Sequence, residues 1–379
     1  MSNKGGSVPQ PPTAEILRLV SSGEASSRTD LARILGLARS TVSLRVQELI
    51  DAGLLTETGE GPSRGGRKPR VLKPAGDGGY VVGADVGARH VRLAGYDLSG
   101  ERLHLTEVEL DIAAGPEACL TGLLEIIDDL GRILAGQRLL GLGVGLPGPV
   151  NFEDGRVERP ARMPGWHGFE VRDWLTERLN IPVAVDNDAN VVALGELHTR
   201  NRGPEHLVVV KAGTGVGCGV IVSGVVHRGA NGVSGDVSHV RVQAAGETLC
   251  ACGNTGCLET IASGAAIARG VGARDTRHLV ELANDAEPQA TAAVRRAGGH
   301  LGEVLSTVVN FFNPHAVLLT GLLSSVEPYV AAVRGALYER CLPMATQNLE
   351  VAVAQAGQDA GPLGAGMLAL HQVHRKERN

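Results

Sequence analysis

The sequence predicts a mixed α/β body built in two similar halves, preceded by a small helical head. Three observations lead there. Residues 13–55 carry three short helical patterns with a turn before the third. Beyond Pro74 the apolar residues fall into strand-length runs, first in a meander and then alternating with helices, the pattern of a mixed sheet. A strand-turn-strand order near Asp85 recurs near Gly213, which points to two lobes around a cleft.

The head comes first in the chain. A helix is expected from about Thr13 to Ser22, with Ile16, Leu17 and Val20 on one face. Ser27 is an N-cap for the second, with Asp30 three residues on and Leu31 and Leu35 in a stripe. Gly36 supplies the turn, since glycine enters left-handed backbone space without a steric cost. The third helix is expected from Ser40, with Val42, Val46, Leu49 and Ile50 buried and Arg39, Thr41, Ser43 and Arg45 on its other face. Hydroxyls and guanidiniums near a helix N-terminus suit phosphates and base edges in a major groove. After Gly53-Leu54-Leu55, the stretch Gly61–Pro74 holds Arg64, Arg67, Lys68, Arg70 and Lys73 and no acid. A thin cationic segment of this kind fits a wing tip entering a minor groove. The other reading of this head is a protein-docking module with a solvated basic linker.

Charge supports the division. The chain has 379 residues and a net charge of −5, but residues 1–74 carry 11 basic against 7 acidic side chains, leaving a basic head on an acidic body. That distribution excludes a protein coating nucleic acid along its whole length and favours a local contact with a polyanion. With 43% hydrophobic residues, a packed core is expected. Aromatics are only 3%, so that core must rest on aliphatic side chains. No apolar run is long enough to span a bilayer and no signal core stands near Met1, which leads to an expectation of cytoplasmic residence.

In the body, strands are expected at Tyr80–Asp85, Val91–Asp97 and Arg102–Leu110, a helix at Pro116–Ala135, and further strands at Leu139–Gly145, Pro182–Val185, His206–Lys211 and Gly217–Val222. Cys250, Cys252 and Cys257 crowd into Cys-Ala-Cys-Gly-Asn-Thr-Gly-Cys, with His239 just upstream. Three thiols and an imidazole suit a tetrahedral Zn2+, and four protein ligands leave no place for an activated water, so the expected role is structural. Cys119, Cys218 and Cys341 show no partner pattern and are expected in the core.

Gly235-Asp236-Val237-Ser238-His239, followed by the cysteine cluster and Gly256-Cys257-Leu258-Glu259, resembles the ROK family of bacterial sugar kinases and repressors. Asp186-Asn187-Asp188-Ala189-Asn190, with Ala193-Leu194-Gly195-Glu196 behind it, is similar to that family's catalytic-aspartate segment. Gly145-Leu146-Pro147-Gly148-Pro149 and Pro164-Gly165-Trp166 match as well, so the resemblance covers nearly the whole chain. It implies a two-lobed actin/hexokinase-like (ribonuclease H-like) α/β body with an N-terminal all-α winged helix-turn-helix domain. It further implies that Asn187 and Asp188 bond sugar hydroxyls, with Asp188 the base in a kinase. His239 would serve both zinc and a sugar hydroxyl, and Glu259 would accept another. The family usually has Glu in place of Asp236 and Gly in place of Ser238. The shorter Asp236 leaves open a contact through water, a different ligand, or no contact.

The resemblance also bears on nucleotide binding. The family's first phosphate loop carries a threonine hydroxyl that Asp85-Val86-Gly87-Ala88-Arg89-His90 lacks, and Arg89 is bulky. Gly213-Thr214-Gly215-Val216-Gly217 is intact, although a tight turn would keep the same residues. In Leu318-Leu319-Thr320-Gly321-Leu322-Leu323 a leucine replaces the second of two glycines. These departures argue against bound ATP and Mg2+.

The resulting expectation is a flexible N-terminus over 1–12, a winged helix-turn-helix domain over 13–74, and a body over 75–379. Lobe one would span about 78–185 plus the C-terminal helix, and lobe two about 186–360. The chain would be a DNA-binding regulator, a repressor, with operator double-stranded DNA and a small sugar-like effector as partners. It would assemble as a homodimer or homotetramer, with no membrane association. The alternatives are an active ATP-dependent sugar kinase carrying a DNA-binding head, and a zinc sensor.

Overall fold

The computed structural model describes residues 12–51, 53–60, 70–75, 78–134, 136–200 and 205–376. The head is built from α1 (Pro12–Ser21), α2 (Arg28–Leu35), α3 (Arg39–Asp51) and an antiparallel pair, β1 (Leu55–Glu60) with β2 (Arg70–Pro74). Ser27 caps α2 as its sequence suggests. Its Oγ accepts from the Asp30 amide at 3.1 Å and donates to Asp30 Oδ2 at 2.8 Å. Gly36 ends the helix at φ +65°, a left-handed cap. Arg28 stitches the head together by donating to Glu57 Oε1 on β1 and to the Ser43 carbonyl on α3.

The body holds two five-stranded sheets of the same design. The first contains β3 (Tyr80–Val86), β4 (His90–Asp97) and β5 (Arg102–Glu109), then α4 (Pro116–Ile133) and β6 (Leu139–Leu146). A small hairpin, β7 (Val150–Asn151) with β8 (Arg156–Val157), leads to α5 (Val171–Leu179) and β9 (Val183–Asn187). The strand order is β5-β4-β3-β6-β9, with the meander antiparallel and β3, β6 and β9 parallel. After α6 (Asp188–Thr199) come β10 (Leu207–Ala212), β11 (Val216–Val222) and β12 (Val225–Val226). Helices α7 (Glu259–Ala262), α8 (Gly264–Val271), α9 (Thr276–Asn284) and α10 (Pro288–Phe312) precede β13 (Ala316–Thr320), α11 (Glu327–Arg340), α12 (Pro343–Thr346) and β14 (Glu350–Val353). The second sheet runs β12-β11-β10-β13-β14 and repeats the scheme: antiparallel hairpins first, then parallel strands. The recurring strand-turn-strand order therefore marks two sheets of matching topology.

Strand alternation decides what covers each face. In the first sheet Val82, Ala84, Leu142 and Val144 pack under Leu120, Leu123, Ile127 and Leu130 of α4. The opposite face, with Val81, Ala94 and Tyr96, meets the last helix, α13 (Ala360–Lys376). In the second sheet Val208 and Val210 face α8–α11, whereas Leu207 and Val209 face Val192 and Ala193 of α6.

Helices α6 and α13 pack together between the sheets at unusually close range. A Cβ on Gly364 would lie 1.7 Å from the Val191 carbonyl, and one on Gly195 would lie 2.0 Å from the Ala360 carbonyl. The same holds where α13 crosses the first sheet: a Cβ on Gly143 would meet the Ala365 carbonyl at 1.9 Å. Only glycine permits backbones to approach this closely. Helix α1 of the head packs on α13, and Ile16, Leu17, Leu19 and Val20 share one apolar cluster with Met367, Leu370 and Val373. The head and the inter-sheet helix pair are thus in direct contact. Among the described residues no helix is long and apolar enough to cross a membrane.

Candidate functional site

A cleft of about 350 Å³ opens where the parallel strands of both sheets end. Side chains there project from strand ends into a crevice that no helix fills, the usual place for ligands in α/β folds. Asp85 lies one residue before the end of β3, Asn187 ends β9, Asp188 begins α6, and Lys211 lies near the end of β10.

Asp188 reaches this cleft because a buried polar framework fixes the start of α6. Asp186 is 1% exposed and receives Arg228 Nε and Nη2 at 2.8 and 2.6 Å on one oxygen. Its other oxygen accepts from Asn190 Nδ2 at 2.9 Å and the Asn187 amide at 2.8 Å. Asn187 caps α6 through Oδ1 and donates Nδ2 to the Gly148 carbonyl at 2.9 Å, so it ties the helix to the Gly145–Pro149 segment. Both ends of its amide already have protein partners. Asn190 also lines the cleft, and its Oδ1 has no hydrogen-bond partner among the described residues.

Lys211 was not anticipated. Its Nζ lies 3.2 and 3.3 Å from the two oxygens of Asp85 and 3.1 Å from Asp188 Oδ2. Burial raises the Asp188 carboxyl above the ordinary aspartate range, and the nearby Asp85 charge adds to this, while Lys211 pulls the other way. Burial works against the Lys211 ammonium, but Asp188 and Asp85 outweigh it and hold its pKa above the ordinary lysine value.

The far wall carries Glu259, Asp236 and His239. Glu259 Oε2 accepts from the Val216 amide at 3.0 Å, and Oε1 pairs with Arg162 Nη2 at 2.6 Å. Arg162 also donates to the Thr214 carbonyl at 3.3 Å. It comes from the segment between β8 and α5, so this contact crosses the cleft. Burial raises the Glu259 carboxyl, partly offset by Arg162 and the Val216 amide. Asp236 Oδ1 accepts from Ser238 Oγ at 2.8 Å and from the His239 amide at 3.3 Å. The two residues at which the sequence departs from its expected pattern therefore form one unit, with the Ser238 hydroxyl turning the short Asp236 toward its own loop.

His239, Cys250, Cys252 and Cys257 come together, with all four ligand atoms within 4.8 Å of one another. Zn–S bonds of about 2.3 Å and Zn–N bonds of about 2.0–2.1 Å in a tetrahedron require S···S near 3.8 Å and S···N near 3.6 Å. The Cys252–Cys257 sulfurs are 3.7 Å apart, and Cys250 Sγ is 3.6 Å from His239 Nδ1. The donor set fits zinc in chemistry and in spacing. With Nδ1 turned to the sulfurs, His239 keeps Nε2 for another partner, as the resemblance implied.

The nucleotide-side residues are arranged differently from expectation. Arg89 is exposed at the β3–β4 turn and does not line the cleft; its neighbour His90 does. The turn closes with the Gly87 amide donating to the His90 carbonyl at 2.7 Å, which lays the imidazole on Gly87, where a Cβ would meet it at 2.9 Å. Leu322 lines the cleft and packs on the core of the second sheet. Gly213–Gly217 forms a tight turn, with the Gly213 amide donating to the Gly215 carbonyl at 2.9 Å.

On the head, Arg39 and Ser40 are exposed at the start of α3, while Thr41, Ser43 and Arg45 are half-buried on its flanks. Arg45 Nη1 donates to both oxygens of Glu48 at 2.9 Å. The buried stripe of Val42, Val46 and Leu49 turns Ser40, Leu44 and Gln47 most directly outward. Leu44 and Gln47 carry neither charge nor hydroxyl, and only the phase of that stripe marks them as outward-facing. Arg64, Arg67 and Lys68 lie outside the described residues. Lys211 had a readable signal, a lone charge in the apolar strand Leu207–Ala212.

A two-sheet body with a polar cleft, a four-ligand Cys/His cluster and a helix-turn-helix head defines a sugar-kinase-like protein joined to a DNA-binding type of domain. Residues 81–372 match the ROK family and residues 11–58 match a helix-turn-helix domain. The chain belongs to the ROK family. It is 29% identical over 322 residues to a glucokinase of Halalkalibacterium halodurans, covering 79% of this chain and 97% of the relative. It is 28% identical over 363 residues to the xylose repressor of Bacillus spizizenii, covering 94% of each. A solved ROK family transcriptional regulator, described as a homologue of the E. coli MLC protein, matches with a TM-score of 0.79 and 27% identity, covering 96% of this chain and 97% of that one.

Proposed function

We propose that the chain is a DNA-binding transcriptional repressor whose cleft binds a sugar or sugar derivative and whose body transfers no phosphate. The carrying observation is the contiguity of site and head. Asn187 and Asp188 sit at the start of α6, α6 packs without spacing on α13, and α13 packs on α1 of the head. The match to a xylose repressor over 94% of each chain supports the same reading.

In this reading Asp188, Asp236 and Glu259 offer acceptors to neighbouring hydroxyls, and charged acceptors make the stronger hydrogen bonds. Asn187 positions Asp188 and offers its remaining amide valences. His239, Cys250, Cys252 and Cys257 would hold Zn2+ as a structural centre, and His239 would keep Nε2 for a ligand hydroxyl. Two copies of the chain present paired heads to a two-part operator, with Arg39, Ser40 and Thr41 at the groove. Ligand changes operator affinity only to the extent that it binds two arrangements of the lobes unequally.

A duplex selected by the chain from a random pool tests the head, and calorimetric titration with xylose, glucose and their N-acetyl and phosphorylated relatives tests the cleft. Selection of no defined sequence, or failure of every sugar to bind, overturns the reading. The second reading, an active kinase, is favoured by the placement of Asp188 in the cleft and by the intact Gly213–Gly217 turn. Sugar-dependent release of ADP from Mg-ATP, abolished in Asp188→Asn, would establish it.

A further inference from the structure

Lys211 occupies a position that strand geometry makes deliberate. Leu207, Val209 and Lys211 share one face of β10, and the first two pack on α6. Lys211 continues that face past the edge of the apolar cluster, to the point where α6 begins with Asp188. Asp85 arrives from the other lobe near the end of β3. The ammonium, with three donors, sits between two carboxylates on separate sheets: two contacts to Asp85 and one to Asp188.

Two carboxylates at such range in a desolvated cleft either hold a proton between them or need a cation to remain ionised together. A phosphotransferase meets that need with Mg2+, which accompanies the donor phosphates and neutralises the charge that develops on them. Here the protein supplies the cation itself. A tethered ammonium cannot bridge two phosphate oxygens as a metal does, and it already holds the one residue placed to accept a proton from a sugar hydroxyl.

We propose that Lys211 is a built-in counter-ion that fills the place between Asp85 and Asp188 which a divalent metal would need, and so makes the cleft bind its ligand without phosphorylating it. This rests on the reading of the body as a sensor, and it names the residue responsible. The same side chain sets the spacing of the lobes at the cleft floor, since it joins β10 to β3.

The test is Mn2+ binding followed by electron paramagnetic resonance on the zinc-loaded full chain, so that the cysteine site is closed to manganese. Wild type binds no Mn2+ at this position. Lys211→Ala and Lys211→Gln each gain one bound Mn2+ per chain, and the gain disappears when Asp85→Asn is added. Lys211→Arg, which keeps the charge, gains none. Neutral variants that fold and bind no more Mn2+ than wild type would overturn the proposal. So would wild-type protein whose melting temperature rises with Mg2+ and loses that rise in Asp85→Asn, a measurement that needs no Lys211 variant. ADP release by wild type would refute the sensor reading whatever the manganese result, which keeps the two failures apart.

Discussion

Arg162 Nη2 stands 2.6 Å from Glu259 Oε1, joining the loop between β8 and α5 of the first lobe to the first residue of α7 in the second. The guanidinium therefore holds the oxygen that a ligand hydroxyl would use. Arg162 is 40% exposed, so water and salt screen the pair and its worth is at most about 1 kcal/mol. Arg162→Ala should bind the effector sugar about threefold to fivefold more tightly, because Glu259 is released from a competitor. Weaker binding by calorimetry would show instead that Arg162 contacts the ligand.

A thiol reagent should separate the three cysteines of the Cys/His cluster from the other three. Folded, zinc-loaded protein should contain one zinc per chain and present no thiol that reacts rapidly at neutral pH. Chelation should release Cys250, Cys252 and Cys257 to a thiol reagent. Cys119, Cys218 and Cys341 should stay silent until the chain unfolds, since all three are buried, and burial pushes Cys119 and Cys218 up to about 12 and also raises Cys341. Six reactive thiols after mild chelation would mean that zinc holds the whole body together. Three reactive thiols before chelation would mean that the cluster binds no metal.

In the head, Arg39→Ala should weaken binding to a selected duplex by about 1–3 kcal/mol if the guanidinium reads a base, with sequence preference relaxed at one position. A phosphate contact would lower affinity evenly across sequences and reduce the salt slope by about one. Arg45→Ala should change affinity less, because Glu48 already takes its guanidinium. Filter binding across a salt series distinguishes the cases. An unchanged Arg39→Ala would remove α3 as the reading helix.

Alanine should have opposite effects at two helical glycines, one in the seam between α6 and α13 and one in α10. Gly364→Ala would drive a methyl to 1.7 Å from the Val191 carbonyl and should cost about 1–3 kcal/mol or more by overpacking. Gly299→Ala lies in α10 with nothing within 4 Å of the new methyl, and should stabilise by about 0.5–1 kcal/mol through the helix preference for alanine. Thermal melts read both. Gly364→Ala should also disturb the response of the head to ligand, since the seam lies between them.

The seam was not legible in the sequence, although the elements on either side were. Strands at Tyr80, Leu139 and His206 announce themselves by apolar runs, and Cys250–Cys257 by spacing, because those signals are local. Ser27 with Asp30 is likewise a four-residue statement. Lys211 is marked locally as a lone charge in an apolar strand, but its partners, like those of Arg162, depend on which distant strand end or loop faces it, and no local pattern carries that. The choice between Arg89 and His90 turned on a single residue of phase in a tight turn. The outward face of α3 was half-read for the same reason, since Leu44 and Gln47 follow from where Val42 and Val46 point.

Duplex affinity of the zinc-loaded full chain, followed by fluorescence anisotropy with and without each cleft-binding sugar, tests the central claim most directly. One sugar should change the dissociation constant for the selected duplex by about tenfold, and duplex should change that sugar's affinity by the same factor, as linkage requires. Asp188→Asn should abolish both effects while duplex binding without sugar persists. A sugar that saturates the cleft by calorimetry and leaves duplex affinity unchanged would contradict the account.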